Sequence, residues 1–382
     1  MTTVFTRTDL NGPAMHALVI GVGAYPYCDK DQDPQVSVAA KLKSLTTSEP
    51  TARAVAKWLL EKQRHDPTLP LGSLEMAISP LERETQCDIY GKSVERADFA
   101  GIQSAFAAWY ERCDQRRDAV TFFYFVGHGC ALKRGGQALL LENFGANPFN
   151  EFDDAADFDE LYEGMGRCAA QSQLYFLDCC REVPEKLAEQ VSTGARSLIT
   201  PDGLTVHRTT AQILYASSRW HKAYGEDRKP SQFSVALEEA FDGLAAQRGR
   251  DGVWRVEADL LPQAVRDAIG FPSGPRNGMA PTSTGDVQNG LILRQLSRDP
   301  HVLFAMNCDP GEAGTDAEYL LLNPDGTVID RRPPSSGSWT GRAKAGMYEA
   351  FARFGGRRWR DASSDMWAFP PTTEVEMKVE YL

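Results

Sequence analysis

The 382-residue sequence has no apolar run near the roughly twenty residues needed to cross a bilayer. The longest near the start, residues 17–24, is eight residues long. No basic cluster precedes it and no clear cleavage site follows, so neither a membrane span nor a targeting segment is expected. An excess of basic charge is also missing. With 41 Lys and Arg against 52 Asp and Glu, the net charge is −11, which is wrong for a surface that tracks nucleic-acid phosphates. A disulfide framework is missing too: the eight cysteines (28, 87, 113, 130, 168, 179, 180 and 308) are scattered except for one adjacent pair. Such usage points to reduced thiols and a cytoplasmic location. Whole-chain disorder is excluded by 42% hydrophobic and 24% charged residues. There is no internal repeat and no long low-complexity segment.

What is present is an alternation of short apolar runs with helical patterns, the pattern of a largely parallel α/β sheet flanked by helices. Strands are expected at residues 16–21, 74–78, 119–126, 173–178 and 212–216, with 290–294 closing the sheet edge. Helices are expected at 51–60, where Val55, Trp58 and Leu59 share a face, and at 102–113, 233–245 and 258–269. From about residue 298 the grammar becomes that of a small antiparallel β domain, with strands at 301–306, 319–322, 346–350 and 374–381. Asn323-Pro-Asp-Gly326 supplies a turn between two of them. Two domains are therefore expected, 1–297 and 298–382.

Two of these strands run into reactive residues. One reads Phe122-Phe-Tyr-Phe-Val-Gly-His128-Gly-Cys130, the other Leu174-Tyr-Phe-Leu-Asp178-Cys179-Cys180-Arg181. In an open parallel sheet the reactive crevice lies beyond the carboxyl ends of the strands, so parallel neighbours would bring His128 and Cys180 to one edge. A thiol of ordinary pKa is only a few per cent ionised at neutral pH, and an adjacent imidazole activates it. The same imidazole can protonate a leaving amine. The N–H groups of Gly129 and Cys180 are candidates for an oxyanion hole. Alternation along the strand puts Asp178 and Cys180 on one face and Cys179 on the other, which favours Cys180 as the nucleophile.

A glycine-flanked His after an aromatic strand, then Asp-x-Cys-Arg after another, resembles the caspase-like cysteine peptidases, the clan of caspases, metacaspases and bacterial relatives. The caspase signature Gln-Ala-Cys-(Arg/Gln/Gly)-Gly has its His about 50 residues upstream; here His128 and Cys180 are 52 apart. Gly21-Val-Gly-Ala-Tyr25 and the stretch from Tyr215 to Leu237 are similar as well, so the resemblance covers about residues 15–296. Two positions depart from the caspase pattern, Asp178 for Gln and Glu182 for Gly. An acid at position 178 is similar to the arginine- and lysine-specific members, in which it lines the pocket for the residue before the scissile bond. A carboxylate there would bind a basic side chain and repel an acidic one. Asp29 or Asp31 would match the second pocket acid; the alternative for each is a solvated loop charge.

The resemblance implies a cysteine endopeptidase with protein substrates, a Cys180–His128 dyad, a thioester intermediate and cleavage after Arg or Lys. No metal or organic cofactor is implied. Calcium activation through the acidic stretches 29–33 and 151–160 is the less favoured reading, beside plain solvated acid. Bacterial relatives serve cell death or antiviral defence under an upstream protease or other regulator, so a gated protease is expected. The polar connection 183–211 is a candidate activation loop, with Arg196 and Arg208 as candidate cut sites. The C-terminal β domain would recognise a partner or substrate or restrain the protease. The alternative function is a catalytically silent caspase-like scaffold. A zinc module using His128, Cys130, Cys179 and Cys180 has poor ligand spacing, and Gly21-Val-Gly23 lacks the remaining features of a nucleotide loop.

Overall fold

The computed structural model describes residues 2–28, 42–81, 88–131, 136–180, 195–201, 206–217, 226–271, 281–285, 290–335, 337–356 and 358–382. A seven-stranded sheet is built from β1 (Thr3–Thr6), β2 (Met15–Val22), β3 (Leu71–Ser79), β4 (Val120–Val126), β5 (Ser172–Asp178), β6 (Thr210–Tyr215) and β7 (Thr282–Thr284). Their spatial order is β1-β3-β2-β4-β5-β6-β7. The five central strands are parallel, and antiparallel β1 and β7 close the two edges. This is the largely parallel, helix-flanked sheet expected from the sequence.

Every residue of β3 and β4 is buried. That is why the run VTFFYFV shows no alternation: a parallel strand covered on both faces needs apolar side chains on both. The helices α1 (Ser48–Glu61) and α2 (Phe99–Cys113) cover the sheet. α1 turns Val55, Ala56, Trp58 and Leu59 inward. α2 begins where the Asp98 carboxylate accepts the Gly101 N–H, a cap contributing about 1 kcal/mol. The buried Glu75 of β3 is paired with Arg112 of α2 at 3.0 Å.

Two expectations are corrected. The sheet edge is closed by Thr282–Thr284, and the strand Ile292–Gln295 lies outside this sheet. A three-residue polar strand carries too little apolar pattern to be read, whereas the apolar run at 290–294 suggested an edge it does not form. The helix expected over 233–245 is α-helical only over Gln232–Glu239 and continues as a π-helical turn, Ala240–Leu244.

The chain forms two compact units, Met1–Glu238 with Asn277–Arg294, and Glu239–Arg276 with Gln295–Leu382. The boundary expected at residue 297 falls beside the last of these crossings, while 239–276 groups with the C-terminal strands. In the second unit, Trp339–Lys344, His301–Asp309 and Thr372–Lys378 make one sheet. Val328–Arg332, Glu318–Leu322, Gly346–Arg353 and Ala362–Ala368 make another. Side chains of both sheets, among them Phe304, Met306, Tyr319, Leu321 and Met366, share one core. The pairing of His301–Asp309 with Thr372–Lys378 is parallel, so this unit is mixed and not purely antiparallel.

Candidate active site

The site is assembled by strand register. β4 and β5 pair in parallel with Val126 opposite Asp178, so His128 and Cys180 each stand two residues beyond the same rung. Just past that rung the two segments touch. A Cβ on Gly129 would lie 2.7 Å from the Cys179 Sγ and 2.9 Å from the Cys180 carbonyl oxygen, closer than packed atoms approach. Glycine is therefore required there to let the His128 and Cys180 segments meet.

The His128 imidazole is held from behind. Its Nε2 lies 2.8 Å from the Lys43 carbonyl oxygen, which can only accept, so Nε2 carries the proton and Nδ1 keeps its lone pair. The Lys43 segment is tied to the loop after β2: Leu45 N–H donates to the Gly23 carbonyl at 2.7 Å, and Tyr25 N–H to the Ser44 hydroxyl at 3.1 Å. Burial pushes the His128 pKa below its ordinary value, opposed in part by the bond to Lys43. The ring is thus neutral near pH 7, the form a general base needs.

The two adjacent cysteines occupy different surroundings. Cys179 is 1% exposed, within the main apolar core, whereas Cys180 is only partly buried. Gln137 lies in the strand Gln137–Leu140, which pairs with Gly129–Ala131. Its Nε2 is 3.3 Å from the Cys180 carbonyl and 3.7 Å from the Cys179 Sγ. Nothing in the sequence points to this residue, since its four-residue strand is too short to show periodicity.

The Gly129 N–H has a definite direction. Leu140 N–H donates to the His128 carbonyl at 3.0 Å, which makes Gly129–Leu139 a non-hydrogen-bonded pair of the ladder and turns the Gly129 amide away from that partner strand.

Asp178 is 4% exposed. Its Oδ2 accepts from the Tyr124 hydroxyl at 2.7 Å and from the Ser231 hydroxyl. Burial pushes its pKa up to about 6, although both hydroxyls favour the charged form. Ser231 is a second residue that sequence reasoning missed; it stands 53 residues from Asp178, and only the folded chain joins them.

The other candidates fall elsewhere. Asp29 and Asp31, the remainder of the 29–33 stretch, Arg181 and Glu182 lie outside the described residues. In the 151–160 stretch three of the acids bond backbone N–H groups. Asp154 accepts from Phe99 and Asn143 N–H groups, Asp157 caps its helix through Glu160 N–H, and Asp159 accepts from Gln137 N–H. Among the described residues, no group of three or more His, Cys, Asp or Glu side chains is placed to hold a metal. Cys130 is buried, and its pKa is pushed up to about 12. Arg196 and Arg208 are both anchored: the Arg196 guanidinium lies 3.6 Å over the Phe99 ring, and that of Arg208 lies 3.8 Å over Tyr162 while donating to its carbonyl. Cutting at either would first require releasing these contacts.

A family model described as a caspase domain matches residues 14–250, more than half of the chain and inclusive of both His128 and Cys180. An uncharacterised protein of Sinorhizobium fredii, y4kE, is 28% identical over 318 residues, covering 74% of this chain and 86% of that protein. Among solved structures, caspase-1 from Spodoptera frugiperda aligns over 73% of this chain and 95% of its own, at 13% identity and a TM-score of 0.39.

Proposed function

Because the chain belongs to the caspase family of cysteine peptidases, we propose that it cleaves protein substrates after Arg or Lys, with Cys180 as nucleophile and His128 as proton carrier. The observation that carries this reading is the common rung: both residues project two positions past Val126–Asp178, and Lys43 fixes the tautomer that leaves Nδ1 as the base.

In the proposed reaction Nδ1 of His128 takes the Cys180 thiol proton as the sulfur attacks the scissile carbonyl carbon. The developing oxyanion accepts from the N–H groups of Gly129 and Cys180. Collapse breaks the C–N bond, and the leaving amine takes the proton back from Nδ1. Water, deprotonated by Nδ1, then attacks the thioester, and the carboxylic acid departs as the thiol regains its proton. Each step balances without a metal or organic cofactor.

Specificity would come from Asp178. With Tyr124 and Ser231 both bonded to Oδ2, Oδ1 is the oxygen that would meet an ammonium or guanidinium group. Asp29 and Asp31 remain candidates for the second acid of this pocket. The cellular setting, a gated protease in cell death or antiviral defence, stands on the family resemblance, as does control by an upstream protease or regulator.

Peptidyl acyloxymethyl ketone probes bearing Arg, Lys or Asp at the reacting position test the reading, with adducts mapped by mass spectrometry. Arg and Lys probes should add once, on Cys180. Preferential addition of the Asp probe would overturn the pocket assignment, and addition elsewhere would overturn the nucleophile. A Cys180 that alkylates with iodoacetamide yet ignores every probe would favour the silent scaffold.

A further inference from the structure

In the antiparallel ladder between 128–131 and 137–140, His128 and Leu140 should exchange two hydrogen bonds, N–H to C=O in each direction. Only one is direct, from Leu140 N–H to the His128 carbonyl at 3.0 Å. The other is interrupted by a side chain. His128 N–H donates to the Tyr25 hydroxyl at 2.7 Å, and that hydroxyl donates to the Leu140 carbonyl at 3.1 Å. A phenol oxygen is thus inserted into the rung at the residue that carries the imidazole.

The rest of Tyr25 is committed to the same task. It is fully buried, and its ring centroid lies 4.7 Å from that of His128. Its backbone N–H holds Ser44, next to the Lys43 carbonyl that receives the His128 Nε2 proton. Gly127 makes the space, since a Cβ there would lie 2.8 Å from the Tyr25 hydroxyl. Burial raises the phenol pKa well above its ordinary value, so the group stays protonated and able to donate and accept at once.

We infer that Tyr25 is a positioning residue for His128: by occupying a ladder rung it sets the spacing of the His128 main chain from its partner strand and, through Ser44 and Lys43, the orientation of the ring. The inference rests on the reading of His128 as the proton carrier. A direct His128–Leu140 rung would draw the His128 backbone inward by about the width of one hydroxyl, and ångström-scale misplacement of a catalytic group can cost roughly a hundredfold in rate.

Two variants test it, Tyr25→Phe, which removes the hydroxyl, and Gly127→Ala, which displaces it. Each is compared with wild type, His128→Ala and Cys180→Ala, all checked for folding by circular dichroism. The readouts are kcat and KM on a basic peptide, the pH dependence of Cys180 alkylation by iodoacetamide, and the 15N shifts of the His128 ring. Both variants should lower kcat by about 10- to 100-fold with KM within about twofold. Each should also shift the alkylation profile toward that of His128→Ala and lose the single Nε2–H tautomer. Wild-type kcat, alkylation profile and tautomer in folded Tyr25→Phe would overturn the inference; should that variant not fold, the same result in Gly127→Ala does so. If His128→Ala itself retains activity and a wild-type alkylation profile, the reading of His128 fails, a result separate from any behaviour of Tyr25.

Discussion

The two compact units of this chain bury different chemistry. Every buried polar or charged side chain among the described residues lies at or before Ser234, in the unit with the seven-stranded sheet. The core of the other unit is built from aliphatic, aromatic and sulfur side chains. Leaving a buried polar group unpaired costs about 1–3 kcal/mol, so such groups persist where they are bonded to one another. In the first unit several gather beyond the carboxyl ends of the strands. Ser79 and Arg96 bond Glu142, Tyr124 and Ser231 bond Asp178, and Gln137 reaches the Cys180 carbonyl. The contrast puts His128, Cys180 and Asp178 in the unit rich in buried polar groups, while among the described residues the second unit has an apolar core.

The sharpest way to break this contrast is to remove the proposed reacting groups. Cys180→Ala and His128→Ala should each lower peptide hydrolysis by about 1000-fold or more, while Cys179→Ala, on the core side, should stay within about threefold in a fluorogenic assay. Asp178→Asn comes next, with a loss of about 100-fold in kcat/KM for Arg and Lys substrates. Its stability should move the other way. A carboxyl whose folded pKa is raised to about 6 contributes stability that is full below the unfolded pKa and lost as pH rises through 6. Removing it should therefore stabilise the fold at pH 8 relative to pH 4, by on the order of 1–3 kcal/mol in denaturant titrations.

The same carboxyl predicts a smaller, graded effect in the wild type. Below pH 6 Asp178 takes up a proton and the pocket loses its charge, so kcat/KM for basic substrates should fall by up to about tenfold per pH unit. Asp178→Asn should lose this limb of the profile. Gln137→Leu sharpens the comparison further. Among the described residues its buried Oε1 has no hydrogen-bond partner, so replacement should change the melting temperature little while loss of the Nε2 contact to Cys180 lowers kcat by about tenfold. The smallest effect on activity is expected from the second unit: Met366→Ala should cost about 2–4 kcal/mol of stability but change small-peptide hydrolysis by less than about twofold at 25 °C.

Long buried strands were legible because a parallel strand covered on both faces must be apolar throughout, as at Val120–Val126. The candidate residues His128 and Cys180 stand out in the sequence because they follow such strands directly. The supporting residues do not. Tyr25 meets His128 across 103 residues and Ser231 meets Asp178 across 53, distances at which no periodicity operates. Gln137 sits on a four-residue strand, and Val328–Arg332 is almost wholly exposed, so neither shows a buried face to read. The edge strand Thr282–Thr284 is short and polar, which let the apolar run after it attract the assignment.

The most direct measurement of the central claim is hydrolysis of matched fluorogenic peptides ending in Arg, Lys or Asp by wild type, Cys180→Ala, Cys179→Ala and Asp178→Asn. Each is assayed with and without calcium and after limited proteolysis. The account predicts cleavage after Arg and Lys that disappears in Cys180→Ala, persists in Cys179→Ala and drops steeply in Asp178→Asn. Cleavage that survives Cys180→Ala, or that prefers Asp, would contradict it.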